Sequence, residues 1–268
     1  MNLLPSRLRT LALLLPVLLV ASAGCDIAMA DFSEQQTDEW RKTFPLEAGG
    51  RVEISNVNGK IDVVAWDRND VEVVAKKTGR AATQEAAKEA LGRIQIVDST
   101  KDGVVRVETK IDRSGGGLFG NNNGQVEYTL RVPAGADLRL STVNGGVEID
   151  GGTGRIVAEA TNGGIRARGV AGPVEASTTN GGVHLDLTAV HADGVKMECT
   201  NGGLHLLLPA DARASISARV TNGGIDTSGL EMQTRGESTR RRLDADLNGG
   251  GARIQIEGTN GGINIRAR

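Results

Sequence analysis

The sequence predicts an all-β fold: a β-solenoid, or β-helix-like repeat, preceded by an irregular N-terminal β cap that carries one helix. Three observations lead there. Asn-Gly recurs at Asn58, Asn144, Asn162, Asn180, Asn201, Asn222, Asn248 and Asn260. From Asn144 the first four spacings are 18, 18, 21 and 21 residues, a period expected of stacked coils. Apolar and polar residues alternate on both sides of the turn, the mark of half-buried strands.

The alternation is clear once Asn248 is set aside. Three residues after the Asn stand Ile61, Val147, Ile165, Val183, Leu204, Ile225 and Ile263, all apolar. The next residue is Asp62, Glu148, Arg166, His184, His205, Asp226 or Asn264, all polar. Four residues before the Asn stand Ile54, Leu140, Ala158, Ala176, Met197, Ala218 and Ile256, small enough in places for a narrow coil. Gly follows every Asn, and both residues tolerate positive φ at a tight corner. Asn-Gly between alternating runs is also a hairpin signal, so an antiparallel meander is the alternative. Near-identical spacing favours the solenoid, in which each coil stacks on the last and Asn side chains can bond along the axis.

In chain order, residues 1–24 read as a signal peptide. Arg7 and Arg9 precede an apolar run from Leu11 to Val20, which is too short to span a bilayer permanently. Small residues then give two cleavage readings. Ser22-Ala23-Gly24-Cys25 resembles a lipobox, which would make Cys25 the lipidated N-terminus, a lipid anchor to the membrane. Ala28-Met29-Ala30 offers an ordinary site with cleavage after residue 30, leaving a soluble periplasmic or secreted protein. Residues 31–133 form the expected cap. Its strands are read at 51–56, 61–65, 71–76, 94–97, 104–111 and 125–132. Residues 81–93, rich in Ala, Glu and Lys, form the expected helix. The stretch Ser114–Gly124, rich in Gly and Asn, is an expected flexible loop. Residues 134–268 are the repeat, with turn residues Asn144, Asn162, Asn180, Asn201, Asn222 and Asn260 matching Asn58 in the cap.

Composition removes several functions. Residues 1–24 carry two Arg and no acids, so the net charge falls from −2 to 29 − 33 = −4 without them. No basic excess is available to neutralise phosphates, and aromatics are 2 %, so no nucleic-acid partner is expected. The two cysteines, Cys25 and Cys199, offer no disulfide framework.

The chain resembles the bacterial DUF4097 family of candidate adhesins. The resemblance is carried by Val57-Asn58-Gly59 with Ile61-Asp62-Val63, by Arg131-Val132-Pro133, and by the Asn-Gly-Gly-Ile/Val series. It covers roughly residues 44–268. It implies an exported β-solenoid with a surface or adhesive role and supplies no catalytic residues.

Candidate chemistry is sparse. His184 and His205 are expected to stack on one outer face, in a column running from Arg166 to Asp226. Two such His could hold a metal, but the column accepts any polar residue, and a solvated face is the simpler reading. His191 falls in a second corner. Glu148, Glu159, Glu175, Glu198 and Asp226 line outer surfaces, where a pair could serve as acid and base in glycoside hydrolysis. They are scattered, with no aromatic subsites beside them. No P-loop, nucleophile elbow or zinc-protease motif occurs. Arg240, Arg241 and Arg242 form the basic cluster, a candidate contact for anionic lipid or polysaccharide. The expectation is therefore a non-catalytic, envelope-associated scaffold or adhesin without a cofactor, whose partner is an unidentified envelope or surface component. A carbohydrate-active β-helical enzyme is the alternative.

Overall fold

A computed structural model describes residues 34–112, 124–236 and 238–268. The signal segment, both cleavage sites, Cys25 and the expected loop at 114–123 lie outside the described residues. Gly124, the last residue of that expected loop, is instead the first residue of a strand.

The cap contains β1 (Glu34–Pro45), β2 (Arg51–Asn58), β3 (Ile61–Trp66), β4 (Asp70–Ala81), α1 (Gln84–Gly92), β5 (Ile94–Lys101), β6 (Val104–Ile111) and β7 (Gly124–Pro133). Four strand pairs follow, each joined by an Asn-Gly-Gly corner. They are β8 (Asp137–Asn144) with β9 (Val147–Asp150), β10 (Ile156–Asn162) with β11 (Ile165–Val170), β12 (Val174–Asn180) with β13 (Val183–Leu187), and β14 (Val195–Asn201) with β15 (Leu204–Leu208). The C-terminal part has β16 (Ala214–Asn222), β17 (Ile225–Asp226), β18 (Met232–Thr234), β19 (Arg242–Leu247), β20 (Ala252–Asn260) and β21 (Ile263–Ala267).

Each corner sends its preceding strand into one sheet and its following strand into the other. The pairing is parallel and in register. β10 lies between β8 and β12, with Asn162 opposite both Asn144 and Asn180. β11 lies between β9 and β13 in the same way. A meander would instead pair β10 with β11 antiparallel, so the solenoid reading holds. The core fills the space between the sheets with the alternating apolar residues. Ile165, Leu185, Leu204, Met197 and Ile256 are no more than 2 % exposed, and burying each such side chain is worth about 1.5–3 kcal/mol. Ala158, Ala176 and Ala218 sit between them, equally buried.

Coil order differs from chain order. The strands before the corner stack as β2-β8-β10-β12-β14-β20-β16. The strands after it stack as β3-β9-β11-β13-β15-β21-β17. The last coil of the chain is therefore inserted between the coils of Asn201 and Asn222, where simple sequential stacking was expected. Asn248 makes this possible. It and the next two residues, Gly249 and Gly250, take positive φ of 48°, 83° and 79°. Asn248 Nδ2 donates to the carbonyls of Ala210 (3.0 Å) and Ala212 (2.9 Å). The turn thus straddles the chain just before β16 and carries it from β19, antiparallel on one side of β16, to β20, parallel on the other. At the other end, β2 and β3 are likewise held between β6 and β8 and between β7 and β9.

The helix is shorter than the expected 81–93. Ala81 still belongs to β4, and Thr83 caps the helix by accepting the Ala86 N–H at 3.2 Å. Its close seat on β4 depends on Gly79, where a Cβ would lie 2.4 Å from Ala87 O. β1 was not foreseen. Five of its twelve residues are charged, and it forms an edge beside β4.

Candidate binding surface

The corner is a continuous ladder. Asn144 donates to Asn58, Asn162 to Asn144, Asn180 to Asn162, Asn201 to Asn180, Asn260 to Asn201 and Asn222 to Asn260, all Nδ2 to Oδ1 at 2.8–2.9 Å. Asn58 closes one end on Gly124 O at 3.0 Å. None of these seven Asn uses a left-handed backbone: among the described residues, only Asp102 and Asn248 do so without being Gly. The positive-φ explanation is thus corrected for Asn, which is required here for its side-chain amide, both donor and acceptor.

For the first Gly the expectation holds at Gly59, Gly181, Gly202, Gly223 and Gly261, which take positive φ of 116–155°, and close packing adds a second reason. A Cβ on Gly163 would lie 1.9 Å from Gly145 O, and one on Gly261 1.9 Å from Gly202 O. Each first Gly therefore presses its Cα onto the carbonyl of the coil before it, a spacing that admits no side chain. At three of the corners an inward polar side chain donates to that carbonyl. Thr142 Oγ1 donates to Gly59 O (3.2 Å), Thr178 Oγ1 to Gly163 O (2.8 Å) and Cys199 Sγ to Gly181 O (3.0 Å). Cys199 is 4 % exposed, and burial pushes its thiol above the ordinary value. The sequence reading missed this column. Its signal was a polar residue two places before the Asn, at an inward position.

The outer columns carry the chemistry. On the face of β9, β11, β13 and β15, Glu148, Arg166, His184 and His205 border a groove of about 420 Å³. The two His rings stack with centroids 5.8 Å apart. Burial, then the neighbouring His205 and Arg166, pull His184 below the ordinary imidazole value. The residue after His205 in this column is Asn264, with Asp226 one coil further, which corrects the expected order. His191 lies between β13 and β14, where its Nδ1 accepts the Asp193 N–H at 3.1 Å. Among the described residues no group of three or more His, Cys, Asp or Glu is placed to hold a metal.

All five singled-out acids are ion-paired. Glu148 meets Arg166 and Arg168 (3.6 and 3.7 Å), Glu159 meets Arg139 (3.7 Å), Glu175 and Glu198 share Lys196 (3.8 and 2.9 Å), and Asp226 meets Arg266 (3.4 Å). Exposed pairs of this kind contribute little stability each. They do spread opposite charges evenly over the coils.

The opposite face differs. The residue before the Asn forms an exposed column, Thr161-Thr179-Thr200-Thr259-Thr221 in stacking order. Beside its last four members runs a groove of about 590 Å³, bordered by Arg219, Arg241, Arg242, Glu198 and Glu257. Arg242 is held by Asp244 at 2.9 Å. Arg219 and Arg241 have no ion pair among the described residues. The expected Arg240–Arg242 cluster is thus divided: Arg241 and Arg242 face the groove, while Arg240 lies against Gly224. Arg219, which the sequence reading did not single out, joins them because β19 pairs antiparallel with β16 and sets Arg242 opposite it.

The family model described as Toastrack DUF4097 matches residues 53–266. A crystal structure of a putative cell adhesion protein from Clostridium sporogenes ATCC 15579 is 14 % identical. The alignment covers 87 % of this chain and 100 % of that one, with a TM-score of 0.51, a likeness of fold. A putative adhesin structure from Bacteroides fragilis NCTC 9343 aligns over 86 % of this chain and 97 % of that one, at 11 % identity and a TM-score of 0.27. No curated protein matches the chain. By its repeat, its corners and the extent of the family match, the chain belongs to the Toastrack DUF4097 family.

Proposed function

We propose that the protein is an exported, envelope-associated, non-catalytic binding scaffold of adhesin type, and that the groove beside the Thr column is its contact for an acidic glycan. The observation that carries this reading is the junction of Thr179, Thr200, Thr259 and Thr221 with the guanidinium groups of Arg219 and Arg241, which have no ion pair among the described residues, in a groove that Glu198 and Glu257 also border. A row of hydroxyls on parallel strands, about 4.8 Å apart, offers donors and acceptors to sugar hydroxyls. The guanidinium groups suit carboxylate or sulfate groups. The family membership supports a surface role. The pairing of Glu148, Glu159, Glu175, Glu198 and Asp226 with bases supports a non-catalytic one.

The test is binding of the purified chain to immobilised polygalacturonate, with dextran as the neutral control. Binding to polygalacturonate that weakens at least about tenfold in the Arg219→Glu/Arg241→Glu variant is expected, since charge-assisted hydrogen bonds contribute about 1.5–3 kcal/mol each. Absence of binding to acidic polysaccharides and to envelope fractions alike would overturn the reading. The signal segment and Ser22-Ala23-Gly24-Cys25 support export and a lipid anchor. Radiolabelled palmitate should enter the wild-type chain and not the Cys25→Ser variant; an unlabelled wild type would remove the anchor.

A further inference from the structure

β1 is the outermost strand of its sheet. All twelve of its residues pair with β4, from Glu34 opposite Ala81 to Pro45 opposite Asp70. Among the described residues nothing pairs with its other edge. A strand this long is about twice the usual length, and such an edge is a template for a further strand.

Its sequence is self-complementary. Asp38-Glu39-Trp40-Arg41-Lys42 places two acids before Trp40 and two bases after it. Laid antiparallel against a second copy about Trp40, Glu39 falls opposite Arg41, Asp38 opposite Lys42 and Thr37 opposite Thr43. Residues directly opposite in an antiparallel pair share a face, so each opposite-charge pair meets, and two-fold symmetry forms it twice. A shift of the axis by one residue places Glu39 against Glu39 or Arg41 against Arg41, so the charges also select the register. The side chains of Asp38, Glu39, Arg41 and Lys42 are 55 %, 55 %, 57 % and 47 % exposed. Their partners within the chain, Lys77, Glu72 and Asp98, lie on β4 and β5.

We propose that β1 pairs antiparallel with β1 of a second copy of this chain, with Trp40 on the two-fold axis. The union joins two sheets edge to edge and closes the open edge. It also carries two copies of each outer face on one assembly, which raises avidity for a repetitive ligand.

Sedimentation of the purified chain tests this directly and reads mass, so it stands or falls apart from glycan binding. The wild-type chain is expected to be a dimer. Glu39→Lys places Lys against Arg41 at two symmetric sites and should raise the dissociation constant at least about tenfold. Among the described residues the Glu39 side chain has its ion pair with Arg41 alone and faces Lys76 across the strand pair; both are exposed edge contacts, so the fold should survive, as thermal unfolding will show. Glu39→Lys with Arg41→Glu restores complementarity and should restore the dimer; Glu72 keeps Arg131 as its partner. A monomeric wild type, a Glu39→Lys chain that dimerises as the wild type does, or a folded swap variant that stays monomeric would each contradict the proposal.

Discussion

Asn260 donates its Nδ2 hydrogen to Asn201 Oδ1 at 2.8 Å, although 59 residues of chain separate them. Asn222, which lies between them in sequence, is the outer rung and donates to Asn260. This exchange of the last two coils means that the C-terminal strand pair is held on both sides, as β2 and β3 are near the other end. Neither inserted coil can peel away as an edge.

The ladder should be measurable rung by rung. Asn180→Ala removes two amide bonds, one to Asn162 and one from Asn201. These side chains are exposed, so water replaces part of the loss, and the expected cost is about 1–2 kcal/mol in urea unfolding. Asn222→Ala removes one bond at the end of the ladder and should cost about half as much. Equal effects at the two positions would argue against a stabilising contribution from each rung.

Gly163→Ala should be far more damaging than its one methyl group suggests. Its Cβ would stand 1.9 Å from Gly145 O, and both atoms belong to paired backbones that cannot move independently. The expected cost is about 3 kcal/mol or more. Gly92→Ala, at the end of α1, has open space and no positive φ, and should be neutral or stabilising by up to about 1 kcal/mol. Thermal or urea unfolding of the two variants compares them directly.

Tyr128 reports on the interface between the sheets. It is the only tyrosine of the chain, is fully buried and shares a 2.7 Å hydrogen bond with Thr109. Burial pushes its hydroxyl up to about 12, from 10.0. The neutral form is the one the fold accepts. Its stabilisation is therefore complete below pH 10 and is lost as pH rises from 10 toward 12. Phenolate absorbance should rise near pH 12 in the folded chain and near pH 10 in urea. A folded-state midpoint near 10 would contradict the burial.

Much of this was legible in the sequence because a strand has a period of two. Ile165, Arg166 and Ala167 declare by their order which faces inward, and seven aligned copies remove the ambiguity of any one. The stacking order was not legible. Equal spacings of 21 residues from Asn180 to Asn201 to Asn222 suggest one coil after another, and nothing local marks Asn248 as a crossover turn. It becomes one through Ala210 and Ala212, which are distant in sequence. Thr178 and Cys199 were legible as inward, yet not as donors to a Gly carbonyl, because that carbonyl is brought to them only by the close approach of the coils. β1 escaped notice since Asp38 and Lys42, paired with Lys77 and Asp98, interrupt the side that carries Trp40 and the buried Phe44. The groove residues Arg219 and Arg242 meet only through the antiparallel return of β19.

The order of the coils is tested most directly by paired cysteines in the exposed Thr column, in a Cys25→Ser/Cys199→Ser background. Thr200→Cys with Thr259→Cys places the thiols on neighbouring strands, β14 and β20. Thr200→Cys with Thr221→Cys places them two strands apart, with β20 between. Under mild oxidation the first pair should form a disulfide within the chain and the second should not. Rapid cross-linking of the second pair, with none of the first, would contradict the inserted coil.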